Sequence, residues 1–382
     1  MFYGFVGLLE DVVKVSEIQS FILCQIKKGK GFAWSVEPGA WSLEPNSPMN
    51  KPDVTVETPS LDQIQNAREE LKDKVRETPV WQFSTDKVQR LTGEETEIHL
   101  KLEFWQHGGS FKVRGALMNM AKMDEEAVKR GVTAVSAGNH AIAVAYAAKE
   151  MNTTAKVVMP NTANQVRIDR CREFGAEVVL VDDVHEAFDK VRDIEEEEGR
   201  TFVHPFDGEG VALGTGCVGL ELMEQVEDLD AVIVPIGGGG LCAGIATAVK
   251  HIDSDCQVFG VEPEGADSMR RSFEAGHPEK IDEVQTIADS LGAPYAEHYS
   301  YTLCRRHVDG LCTVSDQELC DTMRLLFDDM KIAVEPAGAA ACAALLGPLQ
   351  EELDGKKVGI IVCGTNIDIE SFSNYVSRGR QN

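Results

Sequence analysis

The sequence lacks a long apolar run, paired cysteines and an excess of basic residues, and each absence excludes a class of protein. A membrane-spanning helix needs about 18 or more consecutive apolar residues, and the 382-residue chain has no such run. Its apolar beginning is interrupted by Glu10 and Asp11 and is not preceded by basic residues, unlike a secretory signal. We therefore expect a cytoplasmic protein with no membrane partner.

The ten cysteines stand singly, without a Cys-x-x-Cys pair, which argues against a zinc ribbon or a disulfide framework. Lysine and arginine total 37 against 63 aspartates and glutamates, and the formal net charge is −26. Because this surplus of negative charge repels phosphate backbones, we expect no nucleic acid partner.

Residues 1–55 differ from the rest of the chain, since residues 36–53 are rich in Pro, Gly, Ser and Asn and show no hydrophobic period. This composition predicts a poorly ordered N-terminal extension. A start of translation at Met49 is a further hypothesis for this segment.

From residue 60 onward, short β-branched apolar runs alternate with helix-forming stretches, the first of which has Ser60 as a candidate N-cap. This alternation predicts an α/β protein with mainly parallel sheets. The predicted strands cover residues 97–102, 132–136, 155–159, 176–181, 230–236, 256–262 and 358–363.

Three glycine-rich segments each follow a predicted strand directly. Residues 136–141 read SAGNHA, residues 237–241 read GGGGL and residues 363–366 read CGTN. Open α/β sheets bind ligands in a crevice at the carboxyl ends of their strands. We therefore expect these three segments to share one site.

The run GGGGL joins a strand to a helix, where glycine lets backbone N–H groups approach an anion at the helix N-terminus. A phosphate site is the natural interpretation, and a tight turn without a ligand is the alternative. Gly238 to Ala243 also match a G-x-G-x-x-A dinucleotide fingerprint, with Glu262 placed to bind a ribose. An NAD(P)-dependent oxidoreductase is therefore a rival prediction.

Lys112 lies between glycines and apolar residues in HGGSFKVRGA. Partial desolvation lowers a lysine pKa and frees the amine to act as a nucleophile or a base. Such an amine can form a Schiff base. Together with a phosphate-binding loop it suggests pyridoxal phosphate, whose aldehyde one lysine holds while backbone amides hold the phosphate.

Five ordered motifs give the chain a resemblance to a known family. The segments GGSFKVRGA (108–116), SAGNHA, GGGGL, VEPAGA (334–339) and CGTN occur in the order found in fold-type II pyridoxal phosphate enzymes. This family includes threonine dehydratases and serine racemases, and the resemblance covers about residues 58–380. It implies a two-domain, three-layer α/β fold with open twisted sheets, like that of tryptophan synthase β.

The resemblance also implies the domain organisation and the assembly. Residues 56–130 together with 207–382 would form the large domain that binds pyridoxal phosphate, and residues 131–206 a small mobile domain. A homodimer or a dimer of dimers is expected. The chain ends soon after CGTN, which leaves no room for the C-terminal regulatory domain of biosynthetic threonine dehydratases.

Several residues acquire roles by this resemblance. Lys112 would hold the cofactor as a Schiff base and act in catalysis, with Phe111 packed beside the cofactor. Asn139 would bond the pyridine 3-hydroxyl, and Ser136, Asn139 and His140 would bind the substrate carboxylate, although residues before the helix could equally cap it. The phosphate loop would comprise Gly237, Gly238, Gly239, Gly240 and Leu241.

Cys363 occupies the position where relatives carry a serine or threonine that faces the pyridine nitrogen. A thiol is a weak donor, so the ring would be a limited electron sink, which favours prompt β-elimination. The alternative is a small buried cysteine that fills space.

Other departures from the family pattern bear on the activity. Ala137 stands where racemases place a second serine, which favours a dehydratase over a racemase. Glu262 and Ala266 fall where relatives bind a divalent cation, but Ser268 replaces the expected aspartate and weakens that site. His107 and Gly108 replace the usual proline and threonine before the lysine, and Thr215 and Cys217 replace glutamine and threonine.

We therefore predict an ammonia-lyase that eliminates water from a small-molecule hydroxy amino acid such as L-threonine or L-serine and releases a 2-oxo acid and ammonia. In this mechanism Lys112, freed by the substrate amine, removes the α-proton. The alternative substrates are 3-hydroxyaspartate or another specialised hydroxy amino acid.

Overall fold

Two β-sheets organise the residues that the computed structural model describes, which are 56–182 and 184–380. The predicted N-terminal extension, with Met49, lies outside the described residues. Strands β1 to β10 span Val80–Gln82, Glu97–Lys101, Val132–Val135, Ala155–Pro160, Glu177–Val181, Thr201–Phe202, Ala231–Pro235, Gln257–Pro263, Gly310–Val314 and Lys357–Ile361.

The larger sheet has the strand order β1, β2, β10, β7, β8, β9, and the smaller has the order β5, β4, β3, β6. Every neighbouring pair is parallel except β1 and β2. The predicted α/β fold with two mainly parallel sheets is confirmed. The smaller sheet lies within the predicted small domain, residues 131–206, whose boundaries stay a prediction.

Helices connect and cover these strands. All five residues of β7 are buried, as expected for a strand in a sheet covered on both faces. Helices α1 to α14 span Leu61–Leu71, Asp86–Thr92, Lys112–Ala121, Glu125–Arg130, Asn139–Glu150, Gln165–Glu173, Val184–Glu198, Glu209–Gln225, Gly240–Ile252, Ser268–Ala275, His298–His307, Asp316–Met330, Pro336–Leu346 and Ile369–Arg378. Within the described residues, no helix is both long and apolar enough to cross a membrane.

All seven predicted strands are present, and the three that the sequence analysis missed are edge strands. Strands β1 and β6 contain only three and two residues. Strand β9 has four of its five residues partly exposed. An edge strand needs no continuous apolar run, because it lacks a neighbour on one side. Ser60 caps α1 as predicted, and Gln63 completes a reciprocal capping box.

A buried network of charged residues fixes the start of α3, the helix that begins at Lys112. Arg114 donates to Glu103 at 2.9 Å and to Glu221 at 2.6 Å. Lys101 donates to Glu221 at 2.7 Å, and Thr78 donates to Glu103 at 2.5 Å. Although burial opposes its charged form, the cations Arg114 and Lys101 hold the pKa of Glu103 below its ordinary value. Two cations and two carboxylates therefore balance in the core.

We predict that Arg114→Met lowers the free energy of unfolding by about 3–5 kcal/mol, because it leaves two buried carboxylates short of one cation. Urea unfolding of the cofactor-free protein measures this loss. Arg90, exposed on α2, provides the control, and Arg90→Met should change stability by no more than about 0.5 kcal/mol. Equal effects of the two substitutions would contradict the assigned role of the network.

Candidate active site

The glycine-rich segments that were predicted to share a site lie at the carboxyl ends of β3, β7 and β10. Nδ2 of Asn366, in the CGTN segment, donates to Oδ1 of Asn139 in the SAGNHA segment at 2.7 Å. An isolated bridge pairs Ser110 with Gly364 and joins the segment that precedes Lys112 to the CGTN segment. Motifs that are far apart in the sequence therefore meet in the structure.

Lys112 and Leu241, which follows the glycine run, line the same cavity. Its wall includes Phe111, Lys112, His140, Phe206 and Leu241. Leu241 lies in the first turn of α9, directly after the four glycines. Lys112 therefore shares this cavity with one residue of the predicted phosphate loop.

Lys112 is the first residue of α3, and its side chain has one direct hydrogen-bond partner in the structure. Nζ donates to the main-chain oxygen of Pro205 at 2.7 Å and lies 5.2 Å from the centre of the Phe111 ring. Burial lowers the pKa of Lys112 to about 8, while the Glu335 carboxylate opposes that shift. A neutral, nucleophilic amine is therefore accessible near physiological pH.

The glycine run needs glycine because neighbouring atoms approach it closely. A Cβ added to Gly238 would lie 2.2 Å from the Phe206 ring, and one added to Gly240 would lie 2.2 Å from the Phe206 main-chain oxygen. Gly239 has a φ of 92°, which side chains disfavour. No described side chain caps α9, so the N–H groups of its first turn are left for another acceptor.

The SAGNHA segment leads into α5, whose N-cap is Gly138 without a side-chain hydrogen bond. The alternative that Ser136 or Asn139 caps this helix is therefore wrong. Oγ of Ser136 accepts from the Gly138 N–H at 3.0 Å, and Asn139 bonds other side chains. As at α9, the first turn of α5 keeps free N–H donors beside the cavity.

The ring of His140 is neutral and already bonded. Burial lowers its pKa to about 3, and Nε2 lies 2.7 Å from the main-chain oxygen of Val203. Since a carbonyl can only accept, Nε2 carries the single ring proton and Nδ1 has none. A substrate carboxylate could thus receive a hydrogen bond from the main-chain N–H of His140 but not from its ring.

Cys363 is buried at the end of β10, and its Sγ lies 3.3 Å from the main-chain oxygen of Ala337. Burial raises the pKa of the Cys363 thiol well above its ordinary value. The side chain is therefore a protonated thiol whose S–H has an acceptor within the protein. Its predicted position opposite the pyridine nitrogen stays a prediction.

The two unusual residues before Lys112 pack away from the cavity. The ring of His107 stacks on Tyr146 with 5.0 Å between centroids, and burial lowers the pKa of His107. A Cβ at Gly108 would lie 3.1 Å from Ile142. The space of the missing side chain is thus filled by the core, and Gly108 does not enlarge the cavity.

The two unusual residues on α8 have local partners. Thr215 lines the cavity, and its Oγ1 lies 2.8 Å from the main-chain oxygens of both Gly240 and Val211, which share its one proton. Cys217 is buried and its Sγ lies 3.3 Å from the Leu213 main-chain oxygen. Thr215 therefore supports the glycine run, whereas Cys217 fills space inside the core.

The candidate cation ligand Glu262 is occupied by backbone donors. Its two carboxylate oxygens each accept an N–H from α10, from Met269 and Arg270, at 2.8 Å, and burial raises its pKa to about 8. Ala266 precedes this helix, and Asp267 pairs with Arg270. The described residues contain no group of three or more His, Cys, Asp or Glu side chains that could hold a metal ion. The divalent cation stays a prediction.

The sequence analysis gave no role to four residues that the structure places around the site. Pro205 and Phe206 come from the segment after β6. Glu335 accepts a hydrogen bond from the Asn139 side chain, and Arg167 donates one to Glu335. Glu335 could have been identified from the sequence, since it lies in the motif VEPAGA immediately before a helix. Arg167 could not have been identified in this way, because its hydrogen-bond partners are distant in the sequence.

These residues fit pyridoxal phosphate. A buried amine with a lowered pKa suits an aldehyde. The glycine run provides an uncapped helix N-terminus with close-packed backbone, which suits a phosphate. The cavity beside Lys112 is lined mainly by aromatic and aliphatic side chains such as Phe111, Phe206 and Leu241, which suits a planar ring.

Comparisons with known proteins agree. The family model for pyridoxal-phosphate dependent enzymes matches residues 71–364. A phenylserine dehydratase from Ralstonia pickettii is 54% identical over 85% of this chain and 98% of that protein. An L-threonine ammonia-lyase from Thermotoga maritima is 37% identical over 84% of this chain and 79% of that protein. The solved structure of maize serine racemase has a TM-score of 0.78 and 33% identity, and covers 84% of this chain and 98% of that one.

The comparisons confirm the predicted family and the prediction of a lyase, since relatives are named as dehydratases and ammonia-lyases. They decide against the nicotinamide oxidoreductase, whose supposed ribose ligand Glu262 is used to bind a helix N-terminus. With a family model that covers most of its length and an extensive match to several members, the chain belongs to the family of pyridoxal-phosphate dependent enzymes.

Proposed function

We propose that this protein is an ammonia-lyase that dehydrates a 3-hydroxy amino acid to a 2-oxo acid and ammonia. The observation that carries the proposal is that Lys112 lines one cavity with Leu241, the residue that follows the glycine run in the predicted phosphate loop. Pyridoxal phosphate, when bound, supplies an electron sink that stabilises negative charge at the substrate α-carbon. The protein supplies binding, orientation and proton transfer.

Lys112 would hold the cofactor through Nζ, and the same amine, when free, would accept the substrate α-proton. The Pro205 carbonyl, 2.7 Å from Nζ, directs the amine. The lowered pKa of about 8 leaves a substantial neutral fraction of this amine near neutral pH. The amide N–H groups of Gly237 to Leu241 would hold the phosphate.

The first turn of α5 binds the substrate carboxylate. Main-chain N–H groups of Asn139 and His140 and the Ser136 hydroxyl are the donors, and the helix dipole adds a favourable field. Ala137 offers no hydroxyl on this segment, which supports dehydration rather than racemisation. Closure of the small domain, residues 131–206, would exclude water from the site.

Cys363 favours elimination. Its thiol keeps its proton, because burial raises its pKa, and Ala337 offers an acceptor for the S–H. The side chain therefore gives no full proton to the pyridine nitrogen. If Cys363 faces the pyridine nitrogen, as the family resemblance implies, it would limit the electron sink that the cofactor supplies, which favours prompt loss of the β-hydroxyl over slower side reactions.

We propose an uncharged side chain for the substrate, with phenylserine ahead of threonine and serine. The relative named for phenylserine is 54% identical, against 37% for one named for threonine and 36% for one named for 3-hydroxyaspartate. Of the described residues that line the cavity, Lys112 alone carries positive charge, because burial lowers the pKa of His140 to about 3 and of His204 to about 4. A second substrate carboxylate would therefore find no cation other than Lys112 among these lining residues.

The expected location and assembly belong to the same proposal. We propose a cytoplasmic homodimer or dimer of dimers, supported by the family resemblance and by the scattered single cysteines. A divalent cation is a weaker part of this proposal, because the carboxylate oxygens of Glu262 already accept hydrogen bonds from backbone N–H groups. Light scattering of the purified holoenzyme, with and without a chelator, measures both the mass of the assembly and any dependence on metal.

We predict that a 2-oxo acid release screen with the holoenzyme gives turnover in the order phenylserine, threonine, serine, 3-hydroxyaspartate. Lys112→Ala should lower kcat by at least about 1,000-fold, because the amine that transfers the α-proton is lost. Lys122, exposed at the end of the same helix, is the control, and Lys122→Ala should stay within twofold of the wild-type protein. Unchanged turnover in Lys112→Ala, or preference for 3-hydroxyaspartate, would refute the corresponding assignment.

We predict that uptake of pyridoxal phosphate by the cofactor-free protein becomes faster as pH rises, with a midpoint near pH 8. Only the neutral amine attacks an aldehyde, and Lys112 loses its proton through this range. An ordinary lysine, with a pKa of about 10.4, would still be protonated there. Stopped-flow absorbance measures the rate at each pH, and a midpoint above pH 9 would contradict the lowered pKa of Lys112.

A further inference from the structure

Arg167, on α6, links the smaller-sheet part of the molecule to loops of the larger-sheet part. Its side chain is only 5% exposed. Nε donates to the main-chain oxygen of Asn366 at 3.0 Å, and the two terminal nitrogens donate to the carboxylate of Asp289 at 2.5 and 3.1 Å. These charge-assisted bonds fix both the position and the plane of the guanidinium.

Arg167 also reaches the buried carboxylate of Glu335, which holds the Asn139 amide. Nη2 of Arg167 donates to Oε2 of Glu335 at 3.3 Å, and Oε1 of Glu335 accepts from Nδ2 of Asn139 at 2.6 Å. At the other end of that amide, Oδ1 accepts from Asn366 at 2.7 Å. Partners at both ends therefore decide which way the Asn139 amide points.

The charge of Glu335 matters for this orientation. An ionised carboxylate only accepts hydrogen bonds, so it requires the NH₂ end of the Asn139 amide, whereas a protonated carboxyl could also donate. Burial raises the pKa of Glu335 to about 7, and Arg167 opposes that shift. Loss of the guanidinium would leave the carboxylate buried without a hydrogen-bonded cation, where protonation is favoured.

The guanidinium also supports the backbone of the SAGNHA segment. A Cβ added to Gly138 would lie 3.4 Å from Nη1 of Arg167. The arginine thus packs against the main chain at the start of α5, next to the residues proposed to bind the substrate carboxylate.

We propose that Arg167 is a positioning residue: through Glu335 it fixes the orientation of the Asn139 amide, and by packing on Gly138 it holds the substrate-binding segment. This inference rests on the function proposed above for that segment. Arg167 itself does not act on the reacting atoms.

The test compares Arg167→Met with Arg170→Met in the holoenzyme. Arg170 lies on the same helix, is exposed and pairs with Glu173, so it is a matched control. We expect Arg167→Met to lower kcat/KM by about 10- to 100-fold through misplacement of the bound substrate. Amide hydrogen exchange of residues 136–140 should become at least about tenfold faster as the segment loosens, and the visible absorbance maximum of the bound cofactor should shift. Arg170→Met should stay within twofold of the wild-type protein in rate and exchange.

A double-variant cycle tests the route through Glu335. In the Glu335→Gln variant, the side-chain carbonyl can accept a hydrogen bond from Asn139, and the uncharged amide needs no cation beside it. If Arg167 acts through Glu335, the double variant loses no more activity than the worse single variant. Losses that multiply would show independent action and would contradict the proposed route.

Two further results separate this inference from the proposed function. Amide hydrogen exchange and cofactor absorbance can be measured without turnover. If the holoenzyme dehydrates no hydroxy amino acid, the proposed function is refuted, but these two measurements still test the role of Arg167. If Arg167→Met does not fold, Asp289→Asn removes an exposed anchor of the guanidinium and should give a smaller change of exchange in the same direction. Exchange and absorbance equal to those of the control variant would overturn the proposal.

Discussion

The structure depends on keeping one lysine amine away from water while leaving it free to react. Lys112 achieves this at the first turn of a helix, where its Nζ contacts a main-chain oxygen and lies near an aromatic ring. Desolvation disfavours the charged form of the amine, and the consequence is a pKa of about 8. Without that burial the amine would be protonated, and the glycine run would bind an anion without any covalent chemistry nearby.

The scaffold holds this helix through charge as well as through apolar packing. Two residues after Lys112, Arg114 is fully buried against carboxylates from a 3₁₀ segment and from α8. Buried ion pairs contribute little net stability when intact and cost much when broken, so they specify one arrangement of the helices. In this protein that arrangement aims Lys112 at the cavity. The same principle recurs at Arg167, where a second buried arginine aligns an amide.

Much of the fold was predictable from the sequence because its central strands are continuous apolar runs. The sequences at β7 and β10 are best interpreted as buried strands. The shared position of the glycine-rich loops after them was predictable because the carboxyl ends of parallel strands meet at one edge of a sheet. The missed strands β1, β6 and β9 are edge strands, and their short or half-exposed sequences resemble loops. Capping of α1 by Ser60 was predictable because a capping box is a local pattern.

The site was predictable where its chemistry lies within a motif. Lys112 and the glycine run carry their signal in neighbouring residues. Arg167 and Glu335 are 168 residues apart, and nothing local shows that they meet or that they orient Asn139. The ring of His140 illustrates the same limit, since only the structure shows that its one proton is already bonded to Val203.

The measurement that tests the account most directly locates the covalent attachment. The purified holoenzyme is reduced with borohydride, digested and mapped by mass spectrometry. The account predicts that the added pyridoxyl mass is found on the peptide that contains Lys112, and on no other lysine. A pyridoxyl group on a different residue, or a reduced protein that carries none, would contradict it.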